Sequence, residues 1–133
     1  SAVRYWGAVG LAAAESLDEK SVDALKTALG DASVTVRIEA ANALARHGLT
    51  EHSIPVLAKA LESKNLAAVQ HAARTIELLG PAAKAAVPAV RACDARMKVI
   101  RPPGTSPVVV QPDKDAAMFV LFSTEAFLKR FSR

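Results

Sequence analysis

The sequence predicts an all-α fold, an α-solenoid of about three helical hairpins closed by a C-terminal capping helix. Three observations predict it. Val3-Arg4-Tyr5-Trp6-Gly7-Ala8-Val9-Gly10-Leu11, Val36-Arg37-Ile38-Glu39-Ala40-Ala41-Asn42-Ala43-Leu44 and Ala68-Val69-Gln70-His71-Ala72-Ala73-Arg74-Thr75-Ile76 share one pattern of small and branched apolar residues, offset by 33 and then 32 positions. Within each copy the apolar residues return every three or four positions, the spacing that lines one face of a helix. Glycine and proline recur in register as well, Gly48 with Gly80 and Pro55 with Pro88. A period in the thirties marks units that cannot bury an apolar face alone and must stack on their neighbours.

The first unit, residues 2–31, opens on the helix through Leu11 and continues in a second carrying Val22, Leu25, Ala28 and Leu29, with Ser21 placed to cap it. Glu15 stands where the later units have glycine, so the exit from this first helix must differ. In the second unit, 32–64, Val36, Ala40, Ala41, Ala43, Leu44 and His47 form the inward stripe, and Gly48 stops the helix through a left-handed turn. Ile54, Leu57, Ala60 and Leu61 define its second helix, with Ser53 as cap and Pro55 in the first turn, where a missing N–H costs nothing. The third unit, 65–94, repeats the scheme with Gly80 as the stop, Pro88 aligned with Pro55, and Val87, Val90 and Cys93 facing inward. Residues 95–112 form a proline-rich connector, in which Pro102, Pro103, Pro107 and Pro112 exclude helix and Val108 to Val110 run extended, as a short strand. Asp113 or Asp115 then caps the last helix, within 113–133. Phe119, Phe122, Phe127 and Phe131 carry its aromatic mass, and it buries one face on the open end of the third unit.

Two short antiparallel helices per unit, alanines at their crossing points and a Val-Arg pair opening the first helix together resemble HEAT repeats. The closest variety is the short, Ala-rich bacterial kind with the pattern D…VRxxAAxAL…G. The resemblance covers residues 2–94, and DASVTVRIEAANALARHG, Asp31 to Gly48, is its best copy. It implies that Arg4 and Arg37 are structural, bonding acidic or carbonyl groups of the adjoining loop that Asp31 supplies. Val69 replaces this arginine in the third copy. A narrower resemblance, carried by VRYWGAVGL, ALKTALGDASVTVRIEAANALARHG and LLGPAAKAAVPAV over residues 3–90, is to the HEAT-like extension that follows the catalytic domain of some bacterial sulfatases acting on sulfated glycans. The sulfatase nucleophile motif, Cys or Ser followed by x-Pro-x-Arg, is absent, so a parent of that type would keep its chemistry elsewhere. The chain also opens inside the first turn of a repeat, as a segment of a longer protein would.

No stretch reaches the roughly 18 apolar residues that cross a membrane as a helix. Cys93 is the one cysteine, which rules out an internal disulfide and reads as a buried structural thiol. His47, Glu51 and His52 have metal-ligand chemistry, but His47 is assigned inward and the other two to a loop, with no fourth ligand at a recognisable spacing. His71 is placed on the outer side of its helix and solvated. No phosphate loop, nucleophile elbow or Cys-x-x-Cys pair occurs, and no nucleophile, base and orienting group can be assembled. No cofactor and no enzymatic activity are therefore expected of this segment.

The net charge of +4 is uneven: from Ala68 onward ten bases face five acids. Arg91, Arg96, Lys98 and Arg101, and further on Lys129, Arg130 and Arg133, leave two readings open, a solvated tail or an anion-binding end for a sulfated or acidic polymer. Few aromatics interleave with these bases, so the stacking platform of a single-strand binder is missing and nucleic acid is not an expected partner. Trp6 bears most directly on function. Its counterparts Glu39 and His71 are polar, so the position belongs outside the repeat core, yet it holds the largest apolar side chain of the sequence. Tyr5 and Trp6 are the candidate interface. The expected function is a non-catalytic binding or scaffolding module whose partner is another protein or a preceding domain of the same polypeptide.

Overall fold

The computed structural model describes residues 2–106 and 111–132, so the strand expected at Val108 to Val110 lies outside the described residues, as do Pro107 and Arg133. Seven α-helices and one 3₁₀ segment occur, with no strand among the described residues. The first unit comprises α1 (Ala2–Ala13) and α2 (Glu19–Ala28), and the second α3 (Val34–Arg46) and α4 (Thr50–Ala60). The third comprises α5 (Leu66–Leu79), the 3₁₀ segment Gly80–Ala86 and α6 (Val87–Ile100), after which α7 (Pro112–Phe131) packs on both α5 and α6. First helices stack in sequence, α1 on α3, α3 on α5 and α5 on α7. The last helix therefore both caps the third unit and continues the row of first helices.

Burial follows the repeat. One apolar cluster joins Ala8 and Leu25 to Ala40, Ala43 and Leu44. A larger one runs from Ile38, Ala41 and Ala45 through Leu57, Val69, Ile76, Val90 and Met97 to Val120 and Phe127. Helix α3 contributes to both, from opposite faces. Its alanines at 40, 41, 43 and 45 let neighbouring helix axes come close enough for ridges to enter grooves.

Several boundaries depart from the sequence reading. Asp18, not Ser21, caps α2, its Oδ1 accepting the Ser21 backbone N–H at 2.7 Å. Helix α4 starts at Thr50 because Gly48 (φ 81°) turns the chain sharply, and the Leu49 N–H returns to the Leu44 carbonyl at 2.9 Å. Ser53 is thus a buried interior residue donating to the Leu49 carbonyl at 2.9 Å, and Pro55 lies in the second turn, not the first. The third unit reaches Ile100, beyond Asp94, because Met97 is fully buried against the core. The helix stops only where Arg101 precedes Pro102. Helix α6 thus takes residues 95–100 from the expected connector, and α7 begins at Pro112. Gln111 sits at the cap position of α7, its backbone N–H donating to Asp115 Oδ2 at 3.3 Å.

The buried face of α7 also differs from the expected one. It is built from Ala117, Val120, Ser123, Thr124 and Phe127, with Thr124 donating to Asp94 Oδ1 on α6 at 2.8 Å. Phe131 is partly buried, while Phe119 and Phe122 remain 48% and 60% exposed, stacked edge to face on each other. Small side chains permit the close approach of α7 to α5 and α6, and two more rings on that face would hold the helices apart.

Candidate interaction surface

Trp6 projects from α1 with 66% of its surface exposed, and Val3, one turn earlier, is 86% exposed. Tyr5 is partly buried, its ring edge to face with Trp6 at 5.2 Å between centroids and 82° between planes. The first unit makes this possible by burying little of α1, in which Ala8 alone is fully enclosed. Val36, the counterpart of Val3 in the second unit, is completely buried beneath the first. The same side chain at the same repeat position is thus core in one unit and surface in the other, according to whether a neighbour covers it.

Glu39 and His71, which share the repeat position of Trp6, behave otherwise than expected. Glu39 is 8% exposed and His71 is partly buried, their side chains meeting at 2.6 Å between Oε1 and Nε2 across the α3–α5 contact. Asn42 donates to the other Glu39 oxygen at 3.3 Å, and Arg46 donates to Asn42 at 3.2 Å. The hydrogen bond with His71 holds the Glu39 carboxyl below its ordinary range, against the opposing effect of burial. A position assigned to solvent is therefore a polar link between two repeats.

The arginines divide by what they grip. Arg37 donates to the carbonyls of Asp31 and Ala32 at 2.6 and 3.1 Å, tying the turn between the first two units to α3. Arg4 pairs with the Asp31 carboxylate at 2.6 Å, and this bond, with the Ser33 N–H, keeps the Asp31 carboxyl below its usual range. In the third unit Val69 holds no such group, and Arg96 reaches in from α6 to donate to the carbonyls of Leu61 and of Ser63, the latter at 3.0 Å. The turn between second and third units is thereby held by a residue from a different helix.

The other candidate anion-binding residues, Arg91, Lys98 and Arg101, have partners within the chain. Arg91 donates to the carbonyl and hydroxyl oxygens of Ser132. Lys98 bridges Asp94 and Glu125 at 2.7 and 3.3 Å, and Arg101 contacts Asp115 and the carbonyls of Lys114 and Thr105. Each is engaged within the chain. Cys93 is buried, and that burial pushes its thiol up. His47 Nε2 meets the Leu11 carbonyl at 3.1 Å and so serves the end of α1, whose unit lacks the glycine exit. Glu51 and His52 are exposed in the first turn of α4 and not in a loop.

No helix is long and apolar enough to cross a membrane among the described residues. Residues 1–80 match the family model described as HEAT repeats. No curated protein and no solved structure matches the chain.

Proposed function

This chain belongs to the HEAT-repeat family, and from that premise we propose that it is a non-catalytic docking module, binding a protein at the Tyr5–Trp6 end of its first unit. HEAT repeats generally mediate contacts between proteins. The observation that carries the reading here is the exposure of Trp6 and Val3 beside Tyr5, where the second unit buries the equivalent valine and fills the tryptophan position with a carboxylate. A tryptophan that becomes covered on association is the kind of residue that dominates binding energy, at about 2 kcal/mol or more when truncated.

The finer form of the proposal makes the partner a preceding domain of the same polypeptide. In the alternative form suggested by the resemblance of residues 3–90 to sulfatase extensions, that domain is a sulfatase-like hydrolase, to which this chain adds surface and no catalytic group. The test uses the single tryptophan of the chain. In the chain alone its emission is expected to be red-shifted and readily quenched by acrylamide, and with the partner or preceding domain present it is expected to be shielded. Trp6→Ala weakens that association while leaving the melting temperature nearly unchanged. Equal quenching with and without the partner, or unfolding by Trp6→Ala, defeats the proposal. The chain alone is expected to turn over neither aryl sulfate nor aryl phosphate esters.

A further inference from the structure

Tyr5 and Trp6 do more than present apolar area. Their rings stand nearly perpendicular, 5.2 Å between centroids, and form two walls of a shallow cavity of about 350 Å³. Val36 and Thr35 of α3, with Ser33 before it, line another side, and Ala2 of α1 and His71 of α5 also contribute. Behind His71 lies the buried carboxylate of Glu39, 2.6 Å from the imidazole. Among the described residues, no lysine or arginine lies within ion-pair distance of Glu39: Arg46 stops at Asn42, and Arg4 is held by Asp31. The chain thus supplies two aromatic walls, with the Glu39 carboxylate one hydrogen bond behind His71 and under the more distant influence of Arg46, and places no lysine or arginine of its own in the lining.

Aromatic faces carry negative electrostatic potential and attract ammonium and guanidinium groups, and a nearby carboxylate adds to that attraction. We propose that this cavity receives a lysine or arginine side chain of the docked protein. The proposal rests on the reading of this end as a docking surface and adds the chemistry of what is recognised there. It explains the combination at one repeat position: tryptophan in the first unit forms a wall, while glutamate and histidine in the next two supply the charge and fix the third side.

The test is a titration followed by the indole resonance of Trp6, the only tryptophan of the sequence. The probes are a capped Gly-Lys-Gly peptide and its norleucine counterpart, which keeps the apolar stem and lacks the charge. The lysine peptide is expected to give a saturable shift, with the norleucine peptide about tenfold weaker or more. Tyr5→Leu, a change in partly buried α1 surface that leaves Glu39 and His71 in place, removes one wall and abolishes the preference for lysine. Glu39→Gln reduces it about threefold in a chain whose folding is verified by circular dichroism. No saturable shift with lysine, or an equal response to norleucine, overturns the proposal. The two readings fail separately: if Trp6→Ala releases the docked protein while neutralising that protein's cations does not, docking stands and cation recognition falls. If Trp6→Ala leaves association intact, the docking reading falls whatever the peptides do.

Discussion

Arg96 does for the third unit what Arg37 does for the second, and the two reach matching turns from different helices. A charged donor holding partly buried carbonyls contributes more than an exposed ion pair, so Arg96→Ala is expected to lower unfolding free energy by about 2 kcal/mol. Arg96→Lys should recover little of it, since one ammonium cannot reproduce a planar fork. Arg91→Ala, an exposed α6 side chain whose bonds go to Ser132, should cost less than about 0.5 kcal/mol by urea denaturation. Glu39 makes a prediction in pH. Its carboxyl is depressed in the folded chain, so its contribution is present above the unfolded value of about 4.3 and is lost as pH falls through the lower folded value. Glu39→Gln should therefore flatten the acid limb of a stability-against-pH curve, and an unchanged limb would show that the link with His71 adds nothing. Neither the Arg96 clamp nor the Glu39–His71 link was legible in the sequence. Glu39 and His71 lie 32 positions apart and meet only once the repeats stack, and Arg96 sits outside the column its role belongs to.

At the scale of elements, α7 is expected to be indispensable. Deleting residues from Pro112 onward would uncover Val90, Met97 and the outer side of α5, and leave Asp94 without its Thr124 donor. A large fall in melting temperature, or aggregation on size exclusion, is the expected outcome. An unchanged, monomeric protein would make α7 an appendage. Pro55 offers the opposite sign, since it stands in the second turn of α4 and deprives that helix of one backbone bond. Pro55→Ala is expected to stabilise by about 1 kcal/mol, the restored bond outweighing the greater freedom of the unfolded chain. Pro88→Ala, at the start of α6, should change little. The helices themselves were legible from periodicity, and the positive φ of Gly48 and Gly80 accords with glycine as a stop signal. Their starts were read less well. A serine before an apolar run resembles a cap, yet Asp18, three residues ahead, accepts the Ser21 N–H and starts the helix earlier, which leaves Ser21 inside the first turn, and the tight turn at Gly48 leaves no room before α4. The exposed Phe119 and Phe122 mark a related limit: aromatic mass signals hydrophobicity, whereas the closeness of α7 to its neighbours is set by Ala117 and Thr124.

Across the whole molecule stability is graded. The first unit buries Ala8 and Leu25 and relies on α3 for the rest of its core, while the second and third units share the larger cluster with α7. Backbone amides of α1 and α2 should exchange with deuterium well before those of α3 and α5, because local opening at a solenoid end costs less than global unfolding. Uniform protection along the chain would refute that gradient. Occupation of the Tyr5–Trp6 cavity should slow exchange in α1 first. The double allegiance of α3 has a further consequence, for how this sequence can lengthen or shorten. One residue added inside a helix rotates everything beyond it by about 100°, so an insertion in the middle of α3 would turn Ala43 and Leu44 away from the first unit while Ile38 still faced the second cluster. No sliding of the helix repairs both faces together. Single-residue insertions and deletions should accordingly be tolerated in α2 and in the 101–106 segment and eliminated in α3, a pattern that a scanning library sorted for folded protein would display directly.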